Sequence, residues 1–523
     1  MTEMVSDPEL IRAINTGMMV AYHAKRIANE PAVISRFGDR TFAELNANAN
    51  RLVRLLRDAG IGAGDSIAVV VKNRPEFVEA MVAAARSGIR FTPINFHLKG
   101  EEIGYIVDNC EAKAFVADLS LGDAITDAIR HAPGLELSLG VGDNEDAGGD
   151  NFADFTGALQ SYDGSDISTP ELGARMLYTS GTTGRPKGVF RRERAPETPV
   201  PPDTPSFYES GDIDLCTGPG YHAAPLLIDI IQPLWSGAGI VMMDKWDAEE
   251  TLRLIERHRI THTHMVATMF HRLLNLPESV RARYDISSMK FLVHGAAPCP
   301  VHIKKAMIEW FGPIIWEYYA ATEGGGGFLV GSEEWLTKPG TVGCPGPEFD
   351  NKILNDDGNS VAVGEVGTIY MRAPDTGKFE YFKDTEKTSD SYRGDYFTLG
   401  DMGYFDEDGY LFLTGRSAEL IISGGVNIYP QEVDSELLKH PAVLDVCTIG
   451  VPNDEWGEEV KSVVQLQADI TPEPALTDAL LEWVRARLAH FKCPRTIDYV
   501  HELPRSAAGK IQRRVVRTPY WED

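Results

Sequence analysis

The sequence predicts an α/β protein, with a large N-terminal unit of doubly wound parallel sheet over residues 1–416 and a smaller α+β unit over 417–523. Three observations carry that expectation. Strand-like and helix-like runs alternate from residue 41 to 118, the rhythm of helices crossing over a parallel sheet. Residues 396–416 place alternating aromatics around an Asp-Glu-Asp-Gly turn, a hairpin pattern. A chain of 523 residues, 43% of them hydrophobic, also exceeds one ordinary core, so two or more domains are expected.

Taken in order, FAELNANANRLVRLLRDAG after Thr41 has leucines at helical spacing, and SIAVVV (66–71) is a buried strand. RPEFVEAMVAAARSG is helical, FTPIN extended, GEEIGYIVDNC helical and AKAFVADL a strand again, all of them scaffold. Residues 139–165, rich in Gly, Asp and Asn, predict a surface excursion, and the five prolines of RRERAPETPVPPDTP predict an exposed irregular insertion. LLIDIIQPLWSGAGIVMM and ITHTHMVATMF resume the alternation. FLVHGAAPCP (291–300) and IIWEYYAATEGGGG (314–327) each run from a strand into a small-residue turn. The four glycines 324–327 either leave room for a bulky ligand or form a loose turn. The histidines at 258, 262, 264 and 271 lack carboxylate or cysteine partners in a metal-ligand pattern.

Chemistry concentrates in YTSGTTGRPKGV (178–189). Glycines at 181, 184 and 188 let backbone approach a ligand, Thr179, Ser180, Thr182 and Thr183 offer hydroxyl donors, and Lys187 brings a mobile charge. That composition suits a triphosphate. It is not a Walker loop, because Arg185 and Pro186 separate Gly184 from Lys187, and Gly188 stands where a magnesium-binding hydroxyl belongs.

This run resembles the phosphate loop of the adenylate-forming superfamily, which includes acyl-CoA synthetases, and further matches follow in family order as far as Arg514. The resemblance implies a large adenylation domain with a small β-barrel-like part and a mobile C-terminal domain. It implies that Thr179, Ser180, Gly181, Thr182, Thr183, Gly184 and Lys187 hold the ATP phosphates, while Gly295, Ala296 and Ala297 approach the adenine and Tyr319 packs on it. Thr322 would contact phosphate, Glu323 would bind Mg2+, and Asp401 and Arg416 would hold the ribose. Tyr221, His222, Val266 and Ala320 would line the acyl pocket, with Ala320 narrowing its floor where the family has glycine. Gly424 and Gly425 would admit the pantetheine of coenzyme A, and Lys510, in LPRSAAGKIQRR, would be the adenylation lysine. The hinge falls at Ala418, where the family has Asp or Lys, and Val426 replaces a common glutamate. Lys510, Thr322 and Glu323 are thus the catalytic candidates, with ATP, coenzyme A and a small carboxylic acid as substrates.

Composition limits the alternatives. The net charge of −27 opposes general nucleic-acid binding, although residues 484–523 carry nine basic against four acidic side chains. No apolar run approaches the length of a membrane span, no secretory signal is visible, and six scattered cysteines without a C-x-x-C pair fit reduced thiols, so a cytoplasmic enzyme is expected. The acid is expected to be apolar (fatty, aromatic or steroid-derived), since no charged residue stands out in the pocket segments. A carrier-protein acceptor, an inactive nucleotide-binding regulator and a homo-oligomer remain open.

Overall fold

The computed structural model describes residues 7–142, 151–179, 186–192, 208–209, 211–346, 348–423, 426–506 and 509–521. Five sheets organise them. The first is all parallel, in the order Ala153–Asp154, Leu137–Val141, Ala112–Asp118, Ser66–Val70, Arg90–Pro93, Ala174–Arg175. The second has eight strands, in the order Gly324–Gly331, Ile315–Ala321, Phe291–His294, His262–Met265, Ile213–Cys216, Gly239–Met242, Pro31–Ser35, Arg40–Thr41. It is parallel throughout except for the antiparallel pair at each edge.

Local chemistry explains the helices between these sheets. Thr41 accepts from the Glu44 N–H while the Glu44 carboxylate accepts from the Thr41 N–H, a reciprocal cap that starts helix Phe42–Asp58 and contributes about 1 kcal/mol. Pro75, at the first position of the next helix, needs no N–H partner there, and every residue of Pro75–Arg86 except Ala85 is buried. Leu45, Leu52, Phe77 and Val78 form one core with Val33 and Ile240 of the second sheet and Ile67, Val69 and Phe91 of the first. Both sheets therefore close on the same pair of helices.

The remaining sheets are smaller. Leu177–Thr179, Lys187–Phe190 and Glu380–Tyr381 form an antiparallel three-stranded sheet. Six short strands between Asn351 and Arg416 form an antiparallel sheet whose terminal strands do not pair with each other, so the barrel-like part is an open sheet rather than a closed barrel. The last sheet draws only on residues 421–500, and its cores contain only residues from 421 onward. Among the described residues no helix is long and apolar enough to cross a membrane. All six cysteines are free thiols.

Two sequence expectations fail. Described parts of 139–165 are more than a surface excursion: Ala153–Asp154 extends the first sheet and helix Phe155–Leu159 follows, because Phe155 and Leu159 bury their side chains in one core and Phe152 in another. The glycines 324–327 are neither a turn nor open space but the start of edge strand Gly324–Gly331. A side chain at Gly326 would meet Asn351 and Phe328 within 2.5 Å, and one at Gly327 would meet Phe349 at 2.2 Å. Neighbouring side chains fill the space the glycines release.

Candidate active site

The parallel strands of the second sheet point their carboxyl ends one way, so the segments following four adjacent strands converge: 217–222, 266–268, 295–297 and 320–323. Crevices beyond the carboxyl ends of parallel strands are the usual ligand sites of such sheets. Gly295 lies against the Tyr318 ring, where a Cβ would come within 2.5 Å, so only glycine fits. Ala296 holds φ +65°, a left-handed conformation that costs a non-glycine residue about 1–2 kcal/mol. Ala297 follows, half-buried.

Tyr319 is buried on strand Ile315–Ala321 and donates its hydroxyl to Asp401 at 2.8 Å. The other Asp401 oxygen accepts from Arg416 Nε at 2.8 Å, its cross-strand partner in hairpin Asp401–Arg416. Burial and the Asp401 carboxylate push the Tyr319 phenol well above its usual range, so it remains a donor. The arrangement fixes a carboxylate and a guanidinium side by side at the edge of the crevice, a pair suited to hydroxyl groups and phosphate.

Thr322 and Glu323 form the tight connection between the two antiparallel edge strands. Glu323 is buried; its Oε1 accepts from the Tyr381 hydroxyl at 2.9 Å, and its backbone carbonyl accepts from Arg191. Thr179 stands directly opposite Lys187 in an antiparallel pair, so the phosphate-loop sequence joins two strands instead of leading from a strand into a helix. The Lys187 ammonium lies 3.9 Å from the Asp384 carboxylate and 5.6 Å from the centre of the Tyr381 ring. Ser180, Gly181, Thr182, Thr183 and Gly184, together with Gly424 and Gly425, lie outside the described residues, as does most of the proline-rich insertion.

The third contribution comes from the last sheet's side of the molecule. Lys510 sits on a turn in which the Gly509 N–H donates to Ser506 at 2.8 Å and the Ser506 N–H donates to Lys510 at 2.7 Å. Solvent reaches the side chain, yet crowding by surrounding protein and then the nearby Arg416 charge hold its pKa below the usual lysine value, while Asp401, Glu323 and Glu419 act the other way. A chain segment more than 90 positions beyond Arg416 thus seats its turn against the large unit, where Thr268 donates to the Gly509 carbonyl at 3.3 Å.

Tyr221, His222 and Phe96 form an aromatic wall, with Tyr221 centred 4.5 Å from His222 and 5.1 Å from Phe96. Burial, with smaller effects from Lys510 and His97, pushes His222 down to about 4, so it is neutral at physiological pH. The Tyr221 hydroxyl and His222 Nε2 are buried without a partner among the described residues. Val266 is buried at the start of helix Ala267–Leu274 and touches the Lys510 turn, 3.5 Å from the place of a Gly509 side chain. Ala320 faces Gly325 across the edge hairpin and is exposed. Ala418 is exposed on the single helical turn Ser417–Glu419 that leads to the last sheet.

Sequence reading missed Tyr381, which ties Glu323 to Lys187 from 58 positions away, and Asp384, Arg191 and Thr268. No motif marks them; only the pairing of Lys187–Phe190 with Glu380–Tyr381 brings the first two into place.

Comparison with known proteins bears on the family and the fold. The family described as AMP-binding enzyme matches residues 20–379, and its C-terminal domain matches residues 432–510. A feruloyl-CoA synthase of Amycolatopsis sp. is 31% identical over 479 residues, covering 91% of this chain and 93% of its own. The fatty acid–[acyl-carrier-protein] ligase ScoC of Streptomyces coeruleorubidus is 27% identical, covering 99% and 98%. In fold the chain is similar to the anthranilate CoA ligase AuaEII in complex with anthranoyl-AMP, with a TM-score of 0.85 at 24% identity and coverage of 97% of each chain.

Proposed function

This chain belongs to the AMP-binding enzyme family and is an acid–thiol ligase that works through an acyl-adenylate; we propose that it joins an apolar carboxylic acid to coenzyme A. The observation that carries the reading is the seating of the Lys510 turn on the large unit, where Thr268 donates to the Gly509 carbonyl at 3.3 Å and the Lys510 charge is felt together with those of Arg416, Asp401 and Glu323. In the first step a carboxylate oxygen attacks the α-phosphorus of ATP and the bond to pyrophosphate breaks. In the second a thiol sulfur attacks the acyl carbon and AMP leaves.

The residues divide the work. Gly295, Ala296, Ala297 and Tyr319 form the adenine side, Asp401 accepts from the ribose hydroxyls, and Arg416 donates beside it. Thr179, Lys187 and Thr322 face the phosphates. Lys187 exchanges its Asp384 and Tyr381 contacts for phosphate oxygen when ATP arrives, and Lys510 stabilises charge developing between carboxylate and α-phosphate. Glu323 fits Mg2+, which favours one or two carboxylates plus substrate phosphates and retained waters; Tyr381 orients that carboxylate through one oxygen. When bound, the ion neutralises phosphate charge. Residues 1–416 and 417–523 act as two domains with a pivot at Ala418, because Lys510 and the pair Gly424 and Gly425 serve different steps.

An apolar acid is supported by the pocket wall. Tyr221 and neutral His222 offer hydrogen bonds without charge, and Val266 and Ala320 are small and apolar. A panel of fatty, aromatic and steroid-derived acids with ATP and coenzyme A, products read by mass, tests this; turnover confined to charged amino acids overturns it. Transfer to a carrier protein is the second reading, favoured by the likeness to ScoC along nearly the whole chain. The same panel with a phosphopantetheinylated carrier protein separates the two acceptors.

A further inference from the structure

The Lys510 turn meets the large unit at Thr268, and a guanidinium braces the contact. Arg505 pairs across the base of that turn with Ile511. Its Nη1 donates to Thr268 Oγ1 at 3.0 Å and to the Gly509 carbonyl, and its Nη2 donates to Asp445. Thr268 itself donates to the Gly509 carbonyl, at 3.3 Å. Asp445 and Gly509 belong to the 417–523 side, whereas Thr268 lies in the first turn of helix Ala267–Leu274 on the other. The Gly509 carbonyl, whose carbon is bonded to the Lys510 backbone nitrogen, therefore receives one donor from each side, and Arg505 fastens both to a carboxylate.

We propose that Arg505 is a positioning residue for acyl-adenylate formation, with Thr268 as its counterpart, and that together they latch the Lys510 turn in the orientation where its ammonium reaches the reacting atoms. The inference rests on the reading of Lys510 as the adenylation lysine. A planar fork suits the task because it can serve a hydroxyl, a carbonyl and a carboxylate at once, which a lysine ammonium on a flexible stem does with less definition. Arg505 is largely withdrawn from solvent, and its charge is met by the Asp445 carboxylate.

The test separates the two half-reactions. Thr268→Val keeps the shape and removes the hydroxyl; Thr268→Ser keeps the hydroxyl; Arg505→Met removes the fork. Pyrophosphate exchange is expected to fall about tenfold or more in Thr268→Val and Arg505→Met, on the scale of one or two lost charge-assisted hydrogen bonds. Thioester formation from a synthetic acyl-adenylate should stay within about twofold of wild type, and Thr268→Ser should retain exchange. Equal loss of both half-reactions, or exchange unchanged in both variants, overturns the latch. Lys510→Ala measured alongside distinguishes the causes: if it too leaves exchange intact, the reading of Lys510 has failed, whereas if it abolishes exchange while Thr268→Val and Arg505→Met do not, only the latch has.

Discussion

Replacing Lys304 by methionine should destabilise the large unit by about 3–5 kcal/mol, the cost of leaving one partner of a buried ion pair alone. Lys304 is fully buried on helix Val301–Phe311, its ammonium 2.6 Å from Glu317 Oε2 and 4.5 Å from the centre of the Trp335 ring. His294 Nε2 also lies 3.5 Å from that carboxylate oxygen, but burial pushes His294 well below the usual histidine range, so it supplies no charge. Methionine fills the space and keeps contact with the indole while removing the charge. Glu317 is already raised by burial, and Lys304 is what opposes that shift. In the variant the carboxyl therefore prefers to be protonated in the folded state. A raised carboxyl penalises folding above its unfolded value and is relieved as pH falls toward it. The loss should consequently be larger at pH 8 than at pH 5.5, by about 1.4 kcal/mol for each pH unit over which the folded group alone binds a proton. Urea titrations followed by tryptophan fluorescence at the two pH values measure this, and the double variant Lys304→Met with Glu317→Leu should recover most of the loss. Since Gly295 follows His294 directly and Tyr319 lies two positions beyond Glu317, ATP affinity should weaken in the single variant. A loss below about 1 kcal/mol, or one independent of pH, refutes the reasoning.

Three further outcomes are expected. Lys510→Ala should reduce pyrophosphate exchange by about two to three orders of magnitude while sparing thioester formation from a preformed acyl-adenylate. Because the Lys510 pKa is lowered, its charge is lost on raising the pH earlier than for a free lysine, so wild-type exchange should decline on the alkaline side and the thioester step should lack that limb. Glu323→Gln should weaken magnesium-dependent adenylation without unfolding the protein, since an amide ligates the ion without neutralising it; identical magnesium titrations would make Glu323 structural. Ala418→Pro should retain exchange and lose most thioester formation, because proline fixes φ near about −65° at the proposed pivot; undiminished acyl-CoA synthesis would place the pivot elsewhere.

Much of the scaffold was legible because its signals are local. The helix after Thr41, the helix within RPEFVEAMVAAARSG and the hairpin of 396–416 each declare themselves within a few turns of sequence. The glycine run was not, since glycine's freedom reads as a turn in isolation, and only the packing of Asn351 and Phe349 shows why side chains are missing. The resemblance marked Tyr319, Glu323, Asp401 and Lys510, and Tyr319, Asp401 and Arg416 hold one another, yet Tyr381 beside Glu323 and Thr268 beside the Lys510 turn lie in unmarked sequence. Tyr381 reaches Glu323 through sheet pairing, and Arg505 reaches Thr268 across 237 positions. Such partners follow from tertiary geometry and leave no periodic trace.

The convergence of four loops at one edge of a parallel sheet bears on how such a protein changes its diet over evolutionary time. The segments 217–222 and 266–268 follow the neighbouring strands Ile213–Cys216 and His262–Met265, while 295–297 and 320–323 follow the next two, Phe291–His294 and Ile315–Ala321. On the proposed reading the first pair meets the acid and the second mainly the nucleotide, with Ala320 the one residue of the second pair that faces the acid. Variation confined to the first pair can reshape which acids enter while inheriting the nucleotide chemistry intact, and the lineage can diversify its menu one loop at a time.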